Sequence, residues 1–229
     1  MILRGRLKLV ADMVPVCRTV CDVGTDHAYI PIYLIRQGIC KTAIATDVNP
    51  GPIEKANINI RQYEMTDYID TRIGDGLQPL KEQETEIIVI AGMGGQLICS
   101  ILSEGIEKAR NAKRLVIQPM GAVEDVRRWL YDNGFEITDE GLVMERNKIY
   151  NVISASWTGQ QTNYDIIDLY VGRRLIEKND PLLKTYIKRE LNKIDTAING
   201  LRKSRQDNRD ALEKNINLRD EFIKLYNGL

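Results

Sequence analysis

The sequence predicts an α/β fold: a mostly parallel sheet with helices on both faces, followed by a separate helical hairpin. Three observations carry this. Short apolar runs rich in β-branched residues alternate with helix-length segments over residues 1–157, the signature of successive βαβ units. One run, Ile87 to Ala91, has no polar alternation, as expected of a strand covered on both faces. From Leu183 to Leu201 the apolar residues recur at helical spacing instead.

The elements follow in order. Leu3, Leu7, Val10 and Val14 mark an amphipathic opening helix. Strands are expected at 19–23, 42–47, 69–73, 86–91 and 114–118, each separated from the next by room for one helix. After Pro119 a helix carrying Val126, Trp129 and Leu130 should stop at Asn133-Gly134, where a left-handed residue ends the turn. Segments 135–143 and 149–157 flank Glu145-Arg146-Asn147-Lys148 and read as a hairpin that adds antiparallel strands at one edge of the sheet. The polar stretch 158–163 is a boundary, giving domains at 1–160 and 161–229. Beyond it, Pro181 is placed to open a helix. Leu183, Ile187, Leu191, Ile194, Ile198 and Leu201 form its apolar stripe. The stripe lapses at 204–210 and resumes with Leu212, Ile216, Phe222 and Ile223, which predicts two helices folded back on each other. It is too short and interrupted for a long coiled coil, so the expectation is a coiled-coil-like helical domain.

Composition narrows the class. The chain has 229 residues, 43% hydrophobic and 28% charged, which excludes wholesale disorder. It lacks 18 consecutive apolar residues, so no membrane helix is expected. Its first residues lack the continuous apolar core of a signal peptide. Cys17, Cys21, Cys40 and Cys99 are irregularly spaced, and read as reduced thiols of a cytoplasmic protein. With one histidine and no H-E-x-x-H spacing, no metal site is expected.

The residues suited to chemistry gather at strand ends. In Val20-Cys-Asp-Val-Gly-Thr-Asp-His-Ala-Tyr-Ile-Pro31 an apolar strand runs into Asp22 and Gly24, then a polar turn, then a helix. Glycine there lets backbone approach a ligand, and the strand-end carboxylate can accept hydrogen bonds. The segment fits either a nucleotide-like cofactor turn or a tight βα turn with a helix-capping Asp. It is not G-x-G-x-x-G, which disfavours a nicotinamide cofactor. Asp47 ends the second strand and can accept from both hydroxyls of a ribose. Asp75, in Gly74-Asp-Gly76-Leu, follows the third strand and can accept from an adenine amino group. Ala91-Gly92-Met-Gly94-Gly95 follows the fourth. Asp and Gly are common in loops, but ligands of open α/β sheets bind at this edge. Asp26 is either an N-cap or a group that orients substrate. His27 is a base or a structural hydrogen-bonding residue. Tyr29 can stack on a base or sit half-buried on its helix.

With these residues assembled, the chain resembles class I S-adenosylmethionine-dependent methyltransferases, and more narrowly the TrmK family, which methylates N1 of adenine 22 in tRNA. The resemblance rests on Cys21-Asp-Val-Gly-Thr-Asp-His-Ala-Tyr-Ile-Pro31, Gly74-Asp-Gly-Leu77, Ile90-Ala-Gly-Met-Gly-Gly95 and Gln118-Pro119, and extends into the C-terminal helices. It implies a Rossmann-like sheet of seven strands with a C-terminal coiled-coil-like domain, S-adenosyl-L-methionine as cofactor and tRNA as partner. It further implies that Asp22, Gly24, Asp47, Asp75, Gly76 and Gly92 line the cofactor pocket. Asp26 and His27 would be catalytic, with Tyr29, Gly94, Gly95, Gln118 and Pro119 on the substrate side. The family pattern continues Gln-Pro with Asn, whereas this chain has Met120, which cannot donate a hydrogen bond and accepts poorly.

The chemistry expected is in-line methyl transfer to an adenine lifted out of its stack, because N1 lies on the pairing edge. Asp26 would accept from the exocyclic amino group as positive charge develops. The chain carries 32 basic and 32 acidic residues, but these are not evenly spread. Residues 1–157 hold 18 basic and 21 acidic, and 158–229 hold 14 and 11. Within the tail, 181–205 has seven basic against two acidic residues, so Lys184 and Lys188 are expected to contact tRNA phosphates. A solvated helix face is the plainer alternative. Two rivals keep the fold and change the function: a methyltransferase acting on a small molecule, and a non-catalytic RNA-binding or partner-binding protein. A monomer is expected.

Overall fold

The structure, a computed structural model, describes residues 1–204 and 208–229. They form two compact units, Met1–Asn163 and Tyr164–Leu229.

The first unit runs α1 (Gly5–Asp12), β1 (Cys17–Val23), α2 (Tyr29–Arg36), β2 (Cys40–Asp47), α3 (Pro50–Gln62), β3 (Ile69–Ile73), β4 (Ile87–Met93), α4 (Gly95–Glu104), α5 (Ile106–Asn111), β5 (Arg114–Pro119), α6 (Val123–Asp132), β6 (Phe135–Glu145) and β7 (Lys148–Trp157). The seven strands form one sheet in the order β3-β2-β1-β4-β5-β7-β6. β1 to β5 are parallel, and β7 runs antiparallel to both β5 and β6. The order reverses between β1 and β4, so the loops after these two strands diverge to opposite faces and leave a crevice at the carboxyl edge.

The core explains the strand pattern. Ile87, Ile88, Val89 and Ile90 of β4 are all buried, as a central parallel strand requires. Val10 and Ala11 of α1, Ile32 and Leu34 of α2, and Ala56 and Ile60 of α3 close one hydrophobic cluster with Ile87 and Val89. The hairpin between β6 and β7 turns through Arg146 and Asn147 at φ 46° and 64°. Two consecutive left-handed residues make a type I′ turn, whose twist suits a two-residue hairpin. Gly134, at φ 78°, follows the end of α6 where Asn133-Gly134 predicted a stop.

β4 runs two residues further than the sequence suggests. A bulge between Ala91 and Met93 lets Met93 pair with Pro119, and Gly92 takes φ 82° to make it. Gly92, the first glycine of the expected loop, is therefore part of the strand.

The second unit contains α7 (Ile166–Tyr170), α8 (Arg173–Glu177), α9 (Leu183–Lys203) and α10 (Arg209–Gly228). α7 opens with a reciprocal cap: Asp165 accepts from Asp168 N–H and Asp168 from Asp165 N–H. These two five-residue helices are too short to show periodicity. Asp180 Oδ1 accepts from Leu182 N–H across Pro181, just before α9. Leu183, Ile187, Ile194 and Ile198 of α9 are buried as the stripe predicts, and α9 packs against α10. On α10 the buried residues are Leu218 and Phe222, while Ile223 is exposed. The face thus follows a four-residue step from Leu218 rather than the expected pair at 222–223. Of the bend predicted at 204–210, residues 205–207 lie outside the described ones.

Candidate active site and cofactor cleft

β1 delivers Asp22 to the carboxyl edge with its side chain nearly sealed, 6% exposed. Burial pushes its carboxyl up to about 6, and a hydrogen bond from Thr25 partly offsets the shift. The chain then turns at Gly24, φ 75°. That left-handed backbone favours glycine, and a Cβ there would also have to displace the flexible tip of Met93 at the end of β4. Gly24 and Thr25 both donate their N–H to the Thr46 carbonyl, which ties the turn to β2.

α2 is not capped by Asp26. Ala28 takes a left-handed conformation, and its N–H donates to Thr25 Oγ1. Asp26 is thereby released to the surface, where Lys55 of α3 contacts Oδ1 at 3.0 Å and His27 Nε2 lies 3.1 Å from Oδ2. The His27 ring stacks on Tyr29 at 4.9 Å. Asn59, one turn after Lys55, donates to the His27 carbonyl at 2.9 Å. Asp26, His27 and Tyr29 therefore form one patch braced by α3.

The other strand ends are arranged around the same edge. Asp47 Oδ1 accepts from Asn49 N–H at 2.7 Å, which orients the carboxylate, and Gly74 N–H donates to the Asp47 carbonyl. Asp75 is exposed beside it. Gly76, φ 50°, faces inward: a Cβ would crowd Ile101, so its glycine serves packing under the loop. Gly92 is exposed and presents bare backbone. Gly94 is the N-cap of α4. Gly95 is buried, its N–H donates to the Gly121 carbonyl, and a Cβ would lie 2.3 Å from the Ala122 carbonyl oxygen. It locks α4 to the loop after β5.

β5 ends in Gln118 and Pro119, both buried, just before that loop. Gln118 Nε2 donates to the Pro119 carbonyl and has a weak contact with Met120 Sδ at 3.7 Å. Its Oε1 accepts from Arg6 of α1 at 3.2 Å. Arg6 is the residue that sequence reasoning missed. It lies 112 positions from Gln118, so only the fold brings the two together. Lys55 and Asn59 were missed as well; their four-residue spacing is visible, but their partners are not.

Asp22, Gly24, Asp26, His27, Tyr29 and Gly92 are brought together with Arg6 around one cleft of about 350 Å³. Asp47, Asp75, Gln118 and Pro119 stand at neighbouring strand ends outside its lining. Lys184 and Lys188 belong to the second unit, exposed and one turn apart on α9. Among the described residues no group of three His, Cys, Asp or Glu side chains is placed to hold a metal ion. No helix among them is long and apolar enough to cross a membrane.

A glycine turn over a buried carboxylate, with further carboxylates at the next two strand ends, fits a nucleoside carrying a positive charge. The sheet order and this cleft define a Rossmann-like methyltransferase. A family profile described as Methyltransferase domain matches residues 3–153. The Bacillus subtilis tRNA (adenine(22)-N(1))-methyltransferase is 35% identical over 189 residues, 80% of this chain and 79% of that protein. The crystal structure of the B. subtilis enzyme, TrmK, superimposes with a TM-score of 0.89 at 27% identity, covering 98% of this chain and 99% of that one. A Streptococcus pneumoniae relative solved in complex with S-adenosyl-L-methionine gives 0.87 at 32% identity, covering 99% and 100%. The chain belongs to the TrmK family of methyltransferases.

Proposed function

We propose that the protein transfers a methyl group from S-adenosyl-L-methionine to N1 of adenine 22 in tRNA. The observation that carries this reading is the cleft itself. It joins a cofactor-type glycine turn at Gly24 to an exposed carboxylate and a stacked ring pair at Asp26, His27 and Tyr29.

Asp22, Gly24, Asp47, Asp75 and Gly92 hold the cofactor in this reading, and Gly76 shapes the loop that presents Asp75. Asp47 takes the ribose hydroxyls, and Asp75 the adenine amino group. Bound there, S-adenosylmethionine supplies an electrophilic methyl on a sulfonium. N1 of the target adenine has an in-plane lone pair and needs alignment more than activation. The base is lifted from its stack and rests against Tyr29, whose ring is steadied by His27. Asp26 accepts from the exocyclic amino group, which grows more acidic as N1 becomes bonded. The carboxylate stabilises that developing charge. To do so it exchanges its contact with Lys55 or His27 for the base.

Met120 cannot replace an amide at the base edge. Gln118, with both ends of its amide engaged, shapes the end of β5 rather than reading the base. Lys184 and Lys188 contact tRNA phosphates. The protein works as a cytoplasmic monomer without a metal.

Labelled S-adenosylmethionine offered with a tRNA transcript, and with the same transcript carrying guanine at position 22, tests this. The reading expects label on the first and none on the second. Equal labelling of both, or of neither, contradicts it.

A further inference from the structure

We propose that Cys17 and Cys40, facing each other at the amino ends of β1 and β2, are a thiol-oxidation site that closes to a disulfide when it meets a hydroperoxide. The site stands at the edge of the sheet opposite the cleft and is independent of the methyl-transfer reading.

Register brings the two thiols together. Cys17 opens β1, Cys40 opens β2, and the two are direct partners in the parallel pairing. The Cys17 N–H donates to the Ile39 carbonyl at 2.9 Å, which fixes that register at its first residue. Directly paired residues of neighbouring strands point to the same side of the sheet. Strands stand about 4.8 Å apart, within the Cα separation of roughly 4.4–6.8 Å that a disulfide spans. Cys40 belongs to the hydrophobic cluster closed by α1, α2 and α3, and Cys17 packs against it.

Burial divides their roles. Cys40 is 3% exposed, whereas Cys17 is half-buried beside the exposed Val16. The Cys40 thiol donates a hydrogen bond to Cys17 Sγ. That bond, helped by the Lys113 ammonium, holds the Cys17 thiol below its ordinary value against burial and Glu86. The same bond and burial push Cys40 up. Burial also pushes up the thiols of Cys21 and Cys99, the latter to about 11. The thiolate is the nucleophile, so Cys17 attacks and Cys40 resolves.

The Cys17 thiolate attacks the terminal peroxide oxygen. An S–O bond forms, the O–O bond breaks, and the departing oxygen takes a proton and leaves as water or an alcohol. Cys17 is then a sulfenic acid. The Cys40 sulfur attacks it, the S–S bond forms, the S–O bond breaks, and the hydroxyl leaves as water with the Cys40 proton. Two thiols are oxidised and one peroxide is reduced. The crosslink encloses residues 18–39, which include Asp22, the turn after it and α2. Cys17 lies five residues before Asp22, roughly 16 Å along an extended strand. The disulfide therefore staples the unit that carries the catalytic turn without entering the cleft.

The test treats the full-length protein with hydrogen peroxide, blocks the remaining thiols with N-ethylmaleimide and maps the peptides without reduction. Wild type should yield one disulfide, Cys17 to Cys40, which dithiothreitol removes. Oxidation should raise its melting temperature by about 5 °C or more. Cys40→Ser should stop at a Cys17 sulfenic acid, trapped by dimedone, with no such rise. Cys40→Ala takes its place if the buried hydroxyl prevents folding. A disulfide through Cys21 or Cys99, sulfinic acid at Cys17 of wild type with no disulfide, or four unmodified thiols in excess peroxide overturns the pairing. An oxidised melting temperature equal to or below the reduced one overturns the staple.

Discussion

Asp26 and Asp22 lie four residues apart and do opposite things because their surroundings differ. Asp26 is exposed and its contacts can be exchanged. Asp26→Asn keeps the shape and removes the charge, so single-turnover methyl transfer should fall by about 100-fold or more while calorimetry finds cofactor affinity nearly intact. Lost cofactor binding would place Asp26 in the wrong role. Asp22 is buried, which lifts its carboxyl from 3.8 to about 6. A group that ionises less readily in the fold than in the unfolded chain favours the fold at low pH. That advantage is whole below 3.8 and is lost as pH rises through about 6. Asp22→Asn should therefore stabilise the ligand-free protein by about 3 kcal/mol at pH 7, with the gain shrinking to nothing near pH 4, and should weaken the cofactor. Melting curves across this pH range check the sign. Asp22 was legible as a strand-end residue and Asp26 as a carboxylate of the turn after it. The buried state of one and the Lys55 partner of the other were not, because both depend on what α3 and β4 bring alongside.

At the scale of elements, the hydrophobic pattern reported strands well because buried parallel strands leave unbroken apolar runs. It could not report contacts between polar residues far apart in sequence. Arg127 of α6 and Glu140 of β6 form a fully buried ion pair at 2.7 Å, and Arg127 also donates to Asn151 of β7. Arg127→Ala leaves the Glu140 carboxylate buried without that cation and should cost about 3–5 kcal/mol in chemical denaturation. The glycines at the end of β4 and the start of α4 show the same limit. Their number suggested a ligand loop; Gly92 lines the cleft while also making a bulge, and Gly95 packs a helix start against two carbonyls. Gly95→Ala should cost at least about 2 kcal/mol and displace the loop of Met120 to Ala122 that follows β5. A melting temperature equal to wild type would contradict that packing role. The five-residue helices α7 and α8 escaped notice because one turn and a half cannot establish a period.

For the whole molecule, a net charge of zero conceals an acidic N-terminal part and a basic C-terminal one. Lys184 and Lys188 are exposed on the same face of α9, one turn apart. Their joint reversal to Glu should raise the KM for tRNA by about tenfold or more and flatten its salt dependence, each lost phosphate contact taking about one unit from the slope. Cofactor affinity should be unchanged. This division was legible from charge counting and from the change of apolar period after Trp157, since both are properties of sequence alone. Arg6 was not legible, because its place in the cleft exists only where α1 meets the ends of β4 and β5. The central claim is that the cleft at those ends methylates N1 of one adenine in tRNA. The most direct measurement is mass spectrometry of nuclease fragments from tRNA incubated with the protein and S-adenosylmethionine. It should find 1-methyladenosine in the fragment containing position 22. A methyl group on another atom or another nucleotide, or none, would contradict it.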